Sequence, residues 1–179
     1  MNPLSRFRVR AAAIGGALLL AASATGSAVA FDSSGDGARP PKAPSLTGSA
    51  KLYRSKGDDI RFSFDAHGFY DQAKGSFRFS HRFPNGVHGF AEGRIDCLLT
   101  GGRTAVATGV IVKSDVQGAK GVRVGFTVQD LGGRERLGHS WTSAQDLVAT
   151  KNLPKCVSSA PYEVVEKGHI TVVPWQPKL

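Results

Sequence analysis

GSFRFSHRFPNGVHGFAEGRIDCLL, residues 75–99, holds two strands and the turn that joins them. Phe77, Phe79 and Phe83 are in phase with one another, Pro84-Asn85-Gly86 interrupts, and a second run continues from Val87 to Leu99. A period of two sends alternate side chains to opposite faces of a pleated strand. Asn-Gly accepts the positive φ angles of a two-residue type I′ turn, so a hairpin turning at Asn85-Gly86 is expected.

A turn at that point sets a register, and the register places chemistry. Phe83 falls opposite His88, His81 opposite Phe90 and Phe79 opposite Glu92, all on one face, with Val87, Gly89, Ala91 and Gly93 turned to the core. On that reading His81 and His88 lie diagonally across the strands within reach of Glu92 as a third ligand. His67 is a candidate fourth, giving a metal or ligand site. The same groups, oriented by Asp65 or Asp96, would also suit general acid–base work, because histidine titrates near neutrality. The plainer reading is a half-exposed sheet face covered by rings and imidazoles.

On either side of the hairpin the pattern repeats. Ile60, Phe62 and Phe64 alternate with Arg61, Ser63 and Asp65. Gly101-Gly102 leads into Thr104 to Val112, and Val122, Val124, Phe126 and Val128 alternate with Arg123, Gly125, Thr127 and Gln129 beyond Gly118 and Gly121. Arg134 to Trp141 reads as a further strand, Ser143 to Lys151 as a short helix or turn capped by Thr142 or Ser143, and His169 to Val173 as a closing strand. Short strands separated by glycine turns predict an all-β fold, an antiparallel meander closing into a small barrel or barrel-like sandwich. Gly86, Gly89 and Gly93, in and beside the longest run, favour the coiling that closure needs.

The chain's ends are different in kind. Arg6, Arg8 and Arg10 precede an apolar run from Ala11 to Ala22 and then Ala28-Val29-Ala30, the layout of a signal peptide cleaved after Ala30. The run is about 12 residues, against the roughly 20 that span a bilayer, so no transmembrane anchor is expected. Residues 31–47, FDSSGDGARPPKAPSLT, carry little to bury and read as a disordered leader before one β domain over 48–179. Cys97 and Cys156, the only two cysteines, are expected to form a disulfide outside the cell.

Removal of 30 of the 179 residues takes three arginines from the 23 basic residues and none of the 14 acidic ones, leaving 149 residues at net +6. That charge would steer the domain toward an anionic cell-wall polymer. The basic residues are spread as Arg61, Arg78, Arg82, Arg94, Arg103, Lys113, Arg123, Arg134, Arg136 and Lys155, without a dense run or interleaved rings, so no nucleic acid is expected.

The succession from Gly75 to Ile111, continued by VRVGFTVQD, Cys156 and GHITV, resembles a group of small secreted actinobacterial proteins sometimes labelled repetin. Their pattern runs G-x-F-x-F, hairpin, G-x-V-x-C-L, turn, A-x-x-x-G-x-V. The resemblance implies an exported β scaffold and brings no catalytic residue with it.

Catalytic motifs are missing. Gly138-His139-Ser140-Trp141-Thr142 lacks the second glycine of a nucleophile elbow, and there is no H-E-x-x-H, phosphate-cradling loop or dinucleotide fingerprint. No cofactor is implied. The chain reads as a secreted monomer serving as a binding or cell-envelope-associated module, with a small apolar ligand as the other candidate partner. The rival classes are a small-barrel isomerase or cyclase and a protease inhibitor presenting a loop near Lys155-Cys156.

Overall fold

Eight strands make up the fold in the computed structural model, which describes residues 42–141 and 146–177. They are β1 (Ser45–Leu52), β2 (Asp59–His67), β3 (Lys74–Arg82), β4 (His88–Gly101), β5 (Thr104–Ser114), β6 (Arg123–Gln129), β7 (Arg136–His139) and β8 (Glu163–Val173). Each pairs antiparallel with its neighbour in sequence, and β1 pairs with β8, so the meander closes into a barrel. Among the described residues the only helix is a 3-10 turn, Leu147–Thr150, capped by Asp146, whose Oδ1 accepts from the Val148 N–H. None is long and apolar enough to cross a membrane. The signal segment, the leader up to residue 41 and the caps proposed at Thr142 and Ser143 lie outside the described residues.

Two boundaries differ from expectation. β1 starts at Ser45, so Ser45 to Thr47 are strand rather than leader, and Leu46 is fully buried. After it the pattern fades: Gly48 has no side chain and is exposed, and buried Ala50 is small, so the alternation does not show in the sequence. β8 starts at Glu163 rather than His169, because its first half carries Glu163, Glu166 and Lys167 and has no apolar alternation to read.

The hairpin forms, but one residue out of the expected register. His81 pairs with Gly89 and Phe79 with Ala91. The loop is Pro84 to Gly86, closed by the Phe83 N–H donating to the Val87 carbonyl at 2.8 Å. A turn at Asn85-Gly86 needs an N–H from residue 84 to complete its closing pair, and proline has none. Moving the closing pair to Phe83 and Val87 restores that bond, and the slip exchanges the two faces of β4 relative to the expected pairing. Phe77 now meets Gly93 directly across the ladder, where a Cβ on Gly93 would collide with the Phe77 ring. The glycine expected to coil the strand is instead the space that a phenylalanine occupies.

The inner face is dominated by rings. Phe126, fully buried, lies 5.1 Å from Phe64 and 4.9 Å from Phe77, centroid to centroid, and Leu46, Ile95, Leu98, Leu137 and Ile170 fill around them. This half of the barrel is a packed core.

Outside the barrel, the segment between β7 and β8 lies across β4, β5 and β6. The Cys97–Cys156 disulfide fixes it to β4. Beneath it the Cys156 N–H donates to Thr108 Oγ1 (3.0 Å), the Thr108 hydroxyl to Asp96 Oδ1 (2.6 Å), and Arg123 to both Asp96 Oδ2 (2.7 Å) and the Leu153 carbonyl (3.1 Å). Gly125 leaves room for the Val157 carbonyl against β6. The bond closes a loop of 59 residues. Replacing both cysteines by serine should lower the free energy of unfolding by about 4 kcal/mol, read from urea curves of oxidised wild type and variant. A change below about 1 kcal/mol would show that the noncovalent contacts of the segment suffice without it.

Candidate functional site

Packing stops short of one end of the barrel. Where β1, β3, β5 and β7 finish, the interior opens into a cavity of about 600 Å³. Its apolar surface is made by Ile60 and Phe62 on β2, Phe79 on β3 and Trp141 just past β7. The indole of Trp141 lies 4.6 Å from the Phe79 ring and 6.2 Å from Phe62. Leu147, on the 3-10 turn, closes one side, so the outer segment that the disulfide fixes also furnishes part of the cavity wall.

Polar groups ring the mouth in two sets. In the first, His81 Nε2 lies 2.7 Å from Asp58 Oδ1, and the imidazole stacks on Phe83 at 3.7 Å. In the second, the Arg54 guanidinium forks onto Glu163, with Nη1 2.7 Å from Oε2 and Nη2 on Oε1. That hydrogen-bonded pairing raises the Arg54 pKa above its ordinary value. His139 Nε2 lies 3.9 Å from Glu163 Oε1.

His139 is 7% exposed, and its ring lies against Trp141 (4.3 Å) and Phe62 (5.8 Å). Burial drives its pKa down to about 4; Glu163 opposes that shift, while Arg54 and His81 add to it. The imidazole is therefore neutral at physiological pH, with one nitrogen able to donate and the other to accept. Tyr162, beside it, is pushed up to about 12 by desolvation and then by Glu163. The result is an apolar chamber whose entrance offers hydrogen-bonding groups, the arrangement that holds a small molecule by its body and orients it by its polar end.

Of the ligand candidates His67, His81, His88 and Glu92, only His81 reaches this chamber. The shifted register leaves His88 and Glu92 on the outer face, His88 exposed opposite Arg82 and Glu92 paired with Arg78. His81, His88 and Glu92 are therefore divided between the two sides of the sheet and do not form a three-ligand set. His67 is also outside, bonded to Asp65 at 2.7 Å. Among the described residues no group of three or more His, Cys, Asp or Glu side chains is arranged to hold a metal.

Other candidates are placed just as plainly. Arg61 pairs with Asp59, Arg103 with Asp130 and Arg123 with Asp96, so much of the basic charge along the strands is matched by neighbouring acids. The segment at Lys155-Cys156 is hydrogen-bonded onto the barrel rather than held out as a loop. The sequence reading met His139 and Trp141 only in a rejected nucleophile-elbow motif and passed over Arg54, Asp58 and Glu163. One signal was available: Leu137, His139 and Trp141 continue the alternation of β7, which puts His139 on the core face. Comparison with family models, with curated proteins and with solved structures returns no match.

The folded pKa of His139, about 4, lies below its unfolded value of 6.5, so on acidification the unfolded chain takes up the proton first. Stability is then full above pH 6.5 and falls as pH drops toward 4, by up to roughly 3 kcal/mol from this group. His139→Gln should flatten that decline. Urea midpoints at pH 7.5 and 4.5 for both proteins check it; parallel declines would assign the acid sensitivity to other groups.

Proposed function

We propose that this is an exported binding protein that takes a small, largely apolar ligand into the mouth of its barrel. The observation that carries the reading is the 600 Å³ cavity, whose size lies within the usual range for ligand sites and whose rings stand behind a hydrogen-bonding entrance. The ligand's body lies against Phe62, Phe79 and Trp141, and its polar end meets His139 and His81. A cell-wall polyanion is the weaker partner, since Arg61, Arg78 and Arg123 each already hold a carboxylate.

Export rests on the sequence of residues 1–30 and on the pair of cysteines, which a reducing cytoplasm would keep apart. The working chain then begins at Phe31. A second reading, a proton-transferring isomerase or cyclase, is favoured by one feature: two histidines beside carboxylates face the same chamber. Turnover of the bound molecule would separate the two readings.

Native mass spectrometry of protein recovered from its own culture medium tests the proposal. The expected result is a chain starting at Phe31 with a small organic molecule that departs on denaturation. Gly89 lines the cavity in a backbone conformation open to other residues, so Gly89→Leu should fold, fill the chamber and emerge bare. Equal occupancy in the variant would place the ligand elsewhere. A bare wild-type protein whose Trp141 emission is unmoved by 1-naphthol, measured in the Trp175→Phe background, would overturn the reading.

A further inference from the structure

The chamber at the barrel mouth is unbalanced in charge. Among the described residues, the groups lining it that can carry a charge are Arg54, Asp58, His81, His139, Asp146 and Glu163. Three are carboxylates and one is a guanidinium. His139 is neutral at physiological pH, and even a protonated His81 would leave the carboxylates in excess.

The one guanidinium is already committed. Arg54 Nη1 donates to Glu163 Oε2 at 2.7 Å and to the Tyr53 carbonyl at 2.8 Å, while Nη2 donates to Glu163 Oε1. A ligand carboxylate could reach this cation only by breaking the fork. Asp146 spends one oxygen, Oδ1, on the Val148 N–H that caps the 3-10 turn.

Asp58 is placed differently. It ends the β1–β2 connection, where its N–H donates to the Ser55 carbonyl at 3.1 Å, and its Oδ1 meets His81. Among the described residues Oδ2 has no hydrogen-bond partner. The side chain keeps 20% of its surface exposed, so a molecule entering the mouth can reach that oxygen.

The walls favour the same charge as the rim. Phe62, Phe79 and Trp141 present rings to the interior, and the face of an aromatic ring attracts a cation, most strongly for tryptophan. A cleft with apolar walls and an excess of one sign concentrates molecules of the opposite sign. An anionic ligand would be stripped of water beside three carboxylates, whereas a cationic one brings the charge that they lack.

Resting on the cavity reading proposed above, we infer that the ligand is an apolar primary amine, its ring body against Phe62, Phe79 and Trp141 and its ammonium donating to the Asp58 carboxylate. The mouth is thereby selective by charge as well as by size.

Calorimetric titration of the wild-type protein at pH 7.5 with three probes of one shape tests this: 1-naphthylmethylamine, 1-naphthylmethanol and 1-naphthylacetic acid. The amine should bind at least about tenfold more tightly than the alcohol, the worth of one charge-assisted hydrogen bond, and the acid more weakly than either. Asp58→Asn should cut the ratio of amine to alcohol affinity by about fivefold or more. Asp146→Asn, which keeps an oxygen for the Val148 N–H, should cut it less. Alcohol or acid binding as tightly as the amine would overturn the inference and leave the cavity reading standing; a ratio unchanged in both variants would overturn it as well. Failure of all three probes to bind would remove the cavity reading and the amine with it.

Discussion

The pairing of β3 with β4 is the constraint on which the rest of the barrel depends. With Phe77 set against Gly93 and Phe79 against Ala91, three successive inward positions of β3 carry Phe77, Phe79 and His81, and the facing positions of β4 are small enough to receive them. Phe77 anchors the packed half through Phe126, while Phe79 and His81 continue into the open half. One strand therefore supplies an anchor of the packed core, a wall of the chamber and one of its polar groups. A slip of a single residue would turn all three to solvent, and no local adjustment would restore them.

The second set of polar groups depends on a thinner seam. β7 and β8 share only two paired positions, Arg136 with Val164 and Leu137 with Glu163. His139 is the last residue of β7 and Glu163 the first of β8, so both stand where the ladder is running out. Arg54, from the β1–β2 connection, holds Glu163 in place there with two hydrogen bonds. The barrel thus gives up strand pairing at the point where it gains a chamber entrance, and an ion pair takes over some of the work of the missing ladder.

Most of the architecture was legible in the sequence because phenylalanine, valine and isoleucine at a period of two mark β2 through β6 clearly. The ends were less legible for physical reasons. β1 carries an exposed glycine, Gly48, and a small buried residue, Ala50, at its centre, and β8 opens with charged residues, so neither displays the alternation that a buried face normally imposes. The candidate site was misread at one proline. Asn85-Gly86 is a strong turn signal, yet Pro84 lacks the N–H that a two-residue loop would use, and weighing that single missing donor moves His81 inward and leaves His88 and Glu92 outside. His139 and Glu163 come together only because β7 and β8 meet across a long connection, which no local pattern encodes.

Closure of the barrel joins Ser45 to Val173, nearly the full length of the described chain. Contacts between residues so far apart in sequence form late and slowly, since the intervening chain must be ordered first. During synthesis the seam cannot form until the last strand has emerged, so the nascent polypeptide remains open for most of the time that it is being made. Under the export proposed above, topology alone would supply the delay that threading a secretion channel requires, and the same delay sets the interval in which unpaired edges of β1 and β8 are available to a chaperone.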